Sequence, residues 1–170
     1  MTKPNVAKVV EAERFVLRDP SRRIRAELGV EADGTVSLDL RDQERKLRAV
    51  LGVEPDGTVS LSLRDHEERS RTVLGVWADG TVSLDLADRD EKAAATLSVE
   101  DDDTVNLGLF DRDEQLRAVL GVGDDGTPSL GLQDQEGKVR ARLVMGDNGA
   151  VRLDLRDREG RVTWSTQRSP

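Results

Sequence analysis

Leu47-Arg48-Ala49-Val50-Leu51-Gly52-Val53-Glu54-Pro55-Asp56-Gly57-Thr58-Val59-Ser60-Leu61-Ser62-Leu63-Arg64-Asp65 is the stretch whose reading decides the fold. Before the Asp-Gly pair, Leu47, Ala49, Leu51 and Val53 alternate with Arg48, Val50 and Gly52. After it, Val59, Leu61 and Leu63 alternate with Thr58, Ser60 and Ser62. A period of two belongs to a strand with one apolar face, and Asp-Gly between two such runs marks a tight turn. Recurrent Gly and β-branched residues in mid-segment exclude a helix.

The same unit recurs along the chain. Turn signals stand at Asp33-Gly34, Asp56-Gly57, Asp79-Gly80, Asp102-Asp103, Asp125-Gly126 and Asn148-Gly149, 23 residues apart and without insertion. Six copies of R-A-x-L-G-V-x-x-D-G-T-V-S-L-x-L-x-D fill about 24–161, flanked by partial strands at 9–19 and 161–167, so that 1–170 reads as one repeat domain. Equal spacing means that each unit meets its neighbours in the same way.

Parity fixes the pairing. A three-residue loop Pro55-Asp56-Gly57 with a left-handed glycine sets Val53 opposite Val59 and Leu51 opposite Leu61. At the other joint an even loop over Gln43-Glu44-Arg45-Lys46 sets Leu40 opposite Ala49 and Leu38 opposite Leu51. Both joints then act as hairpins, and the expected fold is all-β, an antiparallel meander of about fourteen short strands. A parallel β-solenoid is the alternative. At the second joint Arg22, Arg45, Glu68, Glu91 and Glu114 stand where a glycine would serve, which leaves its turn type open. The fourth copy departs furthest, with Ala94, Ser98 and Asp103, so any bend or hinge in the sheet is expected between Ala87 and Asp103.

The register places Leu38, Leu40, Leu51, Leu61, Leu63, Leu74, Leu84 and Leu86 on one face. Three inward residues from each of about twelve strands make a patch on the order of 1,000 Å². Monomers rarely expose that much contiguous apolar surface. The sheet is therefore expected to coil or pack on itself, or on another copy as a homo-oligomer. The opposite face carries Arg18, Arg25, Arg41, Arg48, Arg64 and Arg71 in a row, open to two readings. Neighbouring carboxylates such as Asp39 and Glu44 neutralise it, or it is a strip for an anionic glycan or an acidic protein.

Composition narrows the function classes. Hydrophobic residues make up 36% and charged residues 35%, with only Phe15, Phe110, Trp77 and Trp164 as aromatics, so the apolar surface is aliphatic. There is no cysteine for a disulfide or a thiolate metal site. The formal net charge of -8 disfavours nucleic acid. No apolar run has signal-peptide or membrane-helix length, so the expectation is a chain soluble as given, without membrane insertion and with its compartment left open. His66, the one histidine, lies in a turn, and no nucleophile–base pair, phosphate loop or zinc spacing occurs. Glu100-Asp101-Asp102-Asp103 lacks ordered calcium-ligand spacing. No enzyme activity, cofactor or metal is expected.

Val9-Val10-Glu11-Ala12-Glu13-Arg14-Phe15-Val16-Leu17-Arg18-Asp19, the repeat motif itself and the closing Gly160-Arg161-Val162-Thr163-Trp164 resemble a group of uncharacterised bacterial proteins with tandem repeats. The resemblance covers nearly the whole chain and implies no activity. The repeat is similar in length to MORN repeats, whose Gly/Tyr/Trp pattern is absent here. The functional expectation is a non-catalytic structural or assembly protein that self-associates through its aliphatic face; the alternative is a binding module working through the Arg row.

Overall fold

A computed structural model describes residues 9–146 and 149–166. It is all-β among the described residues. Fourteen strands run in chain order: β1 Arg14–Arg18, β2 Ile24–Val30, β3 Val36–Arg41, β4 Leu47–Val53, β5 Val59–Arg64, β6 Ser70–Val76, β7 Val82–Ala87, β8 Ala93–Val99, β9 Val105–Phe110, β10 Leu116–Val122, β11 Pro128–Gln133, β12 Val139–Met145, β13 Val151–Arg156 and β14 Val162–Ser165. They form one antiparallel sheet in sequence order, which makes the meander and excludes the parallel solenoid. The sheet is open, and each strand touches only the strands beside it. The expected meander is thus what forms, and among the described residues no strand packs over another, so the cover expected for the apolar face does not come from the sheet's own strands.

The Asp-Gly corner forms as its residues dictate. Glu54 N–H donates to Thr58 O (2.8 Å), and Gly57 N–H to Glu54 O (3.0 Å). Gly57 has φ +91°, a conformation that costs glycine nothing. Asp56 Oδ1 accepts from Thr58 N–H (2.9 Å), closing the turn from its own side chain. Val53 then pairs with Val59 and Leu51 with Leu61, as parity requires. In the sixth unit Asn148 lies outside the described residues.

The second corner gives the expected pairing by a different device. Its loop has three residues, not four: Asp42 N–H donates to Lys46 O (3.0 Å) and Arg45 N–H to Asp42 O (3.2 Å). Arg22, Arg45, Glu68, Glu91 and Glu114 all adopt left-handed φ, between 57° and 71°. An odd loop would invert one face, and a β-bulge corrects it. Arg41 pairs with Leu47 but Leu40 pairs with Ala49, which leaves Arg48 as the extra residue. The bulge returns at Arg18/Ile24 and Arg64/Ser70, and it restores the apolar face in every unit.

The bulge moves one set of residues that alternation had put with the leucines. Leu47 pairs with Arg41 and so belongs to the polar face. Its equivalent Leu116 confirms this: a Cβ built on Gly108 would lie 3.2 Å from Leu116 Cδ1, and Gly108 pairs with Thr96 and Val119 on that face. Strand pairing is not interrupted between Ala87 and Asp103. β7, β8 and β9 pair through that span with the same register as the other units, Ala93 included.

Candidate functional site

From β2 to β13 one face receives three side chains per strand. Val30, Val36, Val53, Val59, Val76 and Val82 start a column beside the Asp-Gly corners, and Leu28, Leu38, Leu51, Leu61, Leu74 and Leu84 start the next. The third column alternates: Ala26, Leu40, Ala49, Leu63, Thr72, Leu86, Ala95, Leu109, Ala118, Leu132, Ala141, Leu155. Over these twelve strands the face consists of Leu, Val and Ala with Thr72, Pro128 and Met145, and holds no charge. All eight leucines expected on it are there. Leu40, Leu51, Leu63, Leu74 and Leu86 are exposed, while Leu38, Leu61 and Leu84 are half-buried by their neighbours. The same face extends to Leu97, Leu107, Leu109, Leu120, Leu130 and Leu143, which the repeat itself would have given.

No hydrophobic side chain is fully buried anywhere among the described residues. The chain exposes 12488 Å², against about 8,300 Å² expected for a compact monomer of its mass. The open single layer contributes to that excess. The buried residues are small or polar and most lie on the other face, where Ser83 (7% exposed) and Asp154 (3%) are the clearest.

On that polar face the arginines are already engaged. Arg18 Nη1 donates to Arg22 O (2.9 Å) and Arg25 Nε to Arg41 O (2.9 Å). Arg41 pairs with Asp39 at 3.0 Å. Arg48 Nε donates to Arg64 O (3.1 Å) and its Nη1 reaches Asp42 at 3.3 Å. Arg64 Nη1 donates to Glu68 O (3.3 Å), while its Nε is buried without a partner. Arg71 Nε donates to Ala87 O (3.0 Å) and its Nη1 lies 3.6 Å from Asp65. The six do not form the single in-register row expected: Arg25, Arg48 and Arg71 occupy bulges, and Arg18, Arg41 and Arg64 stand opposite Ile24, Leu47 and Ser70. Arg117 and Arg140 repeat the pattern, each pairing with Asp111 or Asp134 and donating to the carbonyl of Asp134 or Asp157.

The corner aspartates anchor this network. Asp65 accepts from the backbone N–H of Glu67 (2.8 Å) and Arg69 (3.2 Å) and from Arg69 Nε (2.9 Å). Partial desolvation would raise its carboxyl. The Arg69 side chain and the two backbone donors outweigh that and hold it at about 2. Asp42, Asp111 and Asp134 are lowered in the same way, with desolvation opposed by two backbone donors and an arginine. At the other corners Asp33, Asp56, Asp102 and Asp125 are lowered by hydrogen bonds from Thr35, Thr58, Thr104 and Thr127. His66 is exposed, 3.5 Å from Glu67. Among the described residues no three His, Asp or Glu side chains gather where a metal could be held. No helix is long and apolar enough to cross a membrane there.

No family model and no curated protein matches the chain. Solved structures do. The E1021V mutant of the TCP10 domain of Danio rerio CPAP is 15% identical, with 91% of this chain and 99% of that one covered and a TM-score of 0.36. The wild-type domain is 14% identical over 91% and 100%, with a TM-score of 0.30. The wild-type domain in complex with a peptide of Danio rerio STIL is 15% identical over 91% and 99%, at 0.22. Likeness at this level carries no functional inference for the present chain.

Proposed function

We propose that this protein is a non-catalytic structural module whose aliphatic face is the surface by which copies of the chain associate. One observation carries the reading: thirty-six consecutive positions of the face, three on each of β2 to β13, are free of charge and uncovered. An area on the order of 1,000 Å² exceeds the roughly 800 Å² per partner of a standard stable interface. A sheet of this kind lacks an internal core, so covering the face supplies apolar burial that the monomer does not have. The Arg margin is the weaker candidate surface, because its guanidinium groups already have protein acceptors.

Sedimentation velocity tests the reading. The wild-type chain is expected to sediment as an oligomer at micromolar concentration. Leu74→Glu with Leu97→Glu, two of the exposed leucines at 48% and 45%, should shift it to monomer, because each buried carboxylate would lose its hydration without a partner. Thermal stability of the wild type should rise with protein concentration, since only the folded state associates. A compact wild-type monomer whose melting is indifferent to dilution overturns the proposal.

A further inference from the structure

The third column of the aliphatic face says how the second copy sits. Along it large and small side chains alternate strand by strand, Leu40, Ala49, Leu63, Thr72, Leu86, Ala95, Leu109, Ala118, Leu132, Ala141 and Leu155. The leucines in this column stand 41–46% exposed, while the alanines and Thr72 between them are half-buried. The surface is thus a row of knobs and dents with a period of two strands, close to 10 Å at about 4.8 Å per strand. The other two columns, Val and Leu, are nearly uniform in residue type and impose no such choice.

Resting on the self-association proposed above, we infer that the dimer is isologous, with its two-fold axis parallel to the strands and lying between β7 and β8. An axis in that direction sets each column over its own counterpart and reverses strand order. Placed between two strands, it sets every knob-bearing strand over a dent-bearing one; placed on a strand, it would set knob on knob. The position between β7 and β8 also overlaps the full sheet. Leu63 of β5 then enters the dent at Ala118 of β10 in the partner copy, and Leu132 of β11 enters the dent at Ala49 of β4. An axis along the length of the sheet would instead set this alternating column over the uniform valines and leave the dents unfilled. Two sheets of identical twist stack in this aligned manner about 10 Å apart, with inner side chains interdigitated.

Filling a dent separates this packing from unspecific greasiness. Ala118→Leu adds apolar surface, so unspecific association would strengthen, whereas knob-into-dent packing puts leucine on leucine at two symmetry-related places and should weaken the dimer at least tenfold. Leu63→Ala added to Ala118→Leu exchanges knob and dent across the interface and should restore wild-type dissociation to within a few-fold. Leu63→Ala with Ala49→Leu exchanges two residues that are neighbours within one chain. It creates dent on dent and knob on knob across the interface and should not restore it. Sedimentation equilibrium on the four proteins reads the dissociation constants, with circular dichroism confirming the sheet in each. Tighter dimerisation of Ala118→Leu, or rescue by the Ala49→Leu pair in place of the Ala118→Leu pair, overturns the inference while leaving self-association intact. A monomeric wild type overturns both.

Discussion

Arg22, Arg45, Glu68, Glu91 and Glu114 hold left-handed backbone at a corner where the last two units use Gly137 and Gly160. For the glutamates the side chain supplies compensation. Glu68 Oε1 accepts from the N–H of Leu47 at 2.8 Å, Glu91 from Ser70 at 3.0 Å and Glu114 from Ala93 at 3.4 Å, each reaching the residue just before the bulge of the preceding unit. Left-handed non-glycine backbone costs about 1 kcal/mol. A charge-assisted hydrogen bond of this kind offsets that cost. Asp103 also has φ 66°, at an Asp-Gly type corner where no N–H beside a bulge needs such an acceptor. Asp103→Gly is therefore expected to stabilise the chain by about 0.5–1 kcal/mol, while Glu68→Gly brings no gain because the Leu47 N–H loses its acceptor. Urea titration of the two variants checks the contrast; equal stabilisation by both would show that the Glu68 contact contributes nothing.

Four of the second corners lean on the next such corner through a contact that repeats with the sequence. Arg23 donates to Gln43 O (3.0 Å), Lys46 to His66 O (2.6 Å), Lys92 to Arg112 O (2.8 Å) and Lys138 to Arg158 O (3.4 Å), always twenty residues on. Together with the glutamate caps and with Arg117, which donates to Asp134 O, these join the second corners of successive units into a ladder along one margin of the sheet. Because strands touch only their sequence neighbours, no unit depends on a distant one. Deleting residues 70–92, one full period, joins Arg69 to Ala93 in phase. The shortened chain should keep its sheet, with a urea m-value lower by roughly a seventh, in proportion to the surface folded. Loss of cooperative unfolding would instead reveal a long-range dependence that the strand pairing does not contain.

Over the whole molecule, charge couples stability to pH. Among the described residues twelve carboxylates sit below their ordinary value: Asp19, Asp33, Asp42, Asp56, Asp65, Asp88, Asp102, Asp111, Asp125, Asp134, Asp154 and Asp157. A carboxyl lowered in the folded state adds stability that is complete above its unfolded value, near 3.9. That contribution is lost as pH falls through the folded value, which for Asp65 is about 2. The urea midpoint should therefore stay level from about pH 7 to 5 and fall steadily between about pH 4 and 2. A midpoint unchanged at pH 3 would mean that these corner hydrogen bonds do not hold the sheet.

At this largest scale the division between sequence and structure is clear. Strand content, antiparallel order and the common face of Leu51, Leu61 and Leu74 follow from periodicity and phase alone, because side-chain alternation and a repeat without insertions leave one consistent register. The second corner was legible only in its outcome. An even loop and an odd loop with a bulge give the same leucine pairing, so Leu47 changes face without any mark in the alternation. The sequence likewise contained an aliphatic face without saying where it would go. Periodicity fixes what lies on a surface but not the sheet's curvature, and only the tertiary structure decided that the strands stay in one open layer, leaving Leu63 and its equivalents standing in solvent over alanine dents.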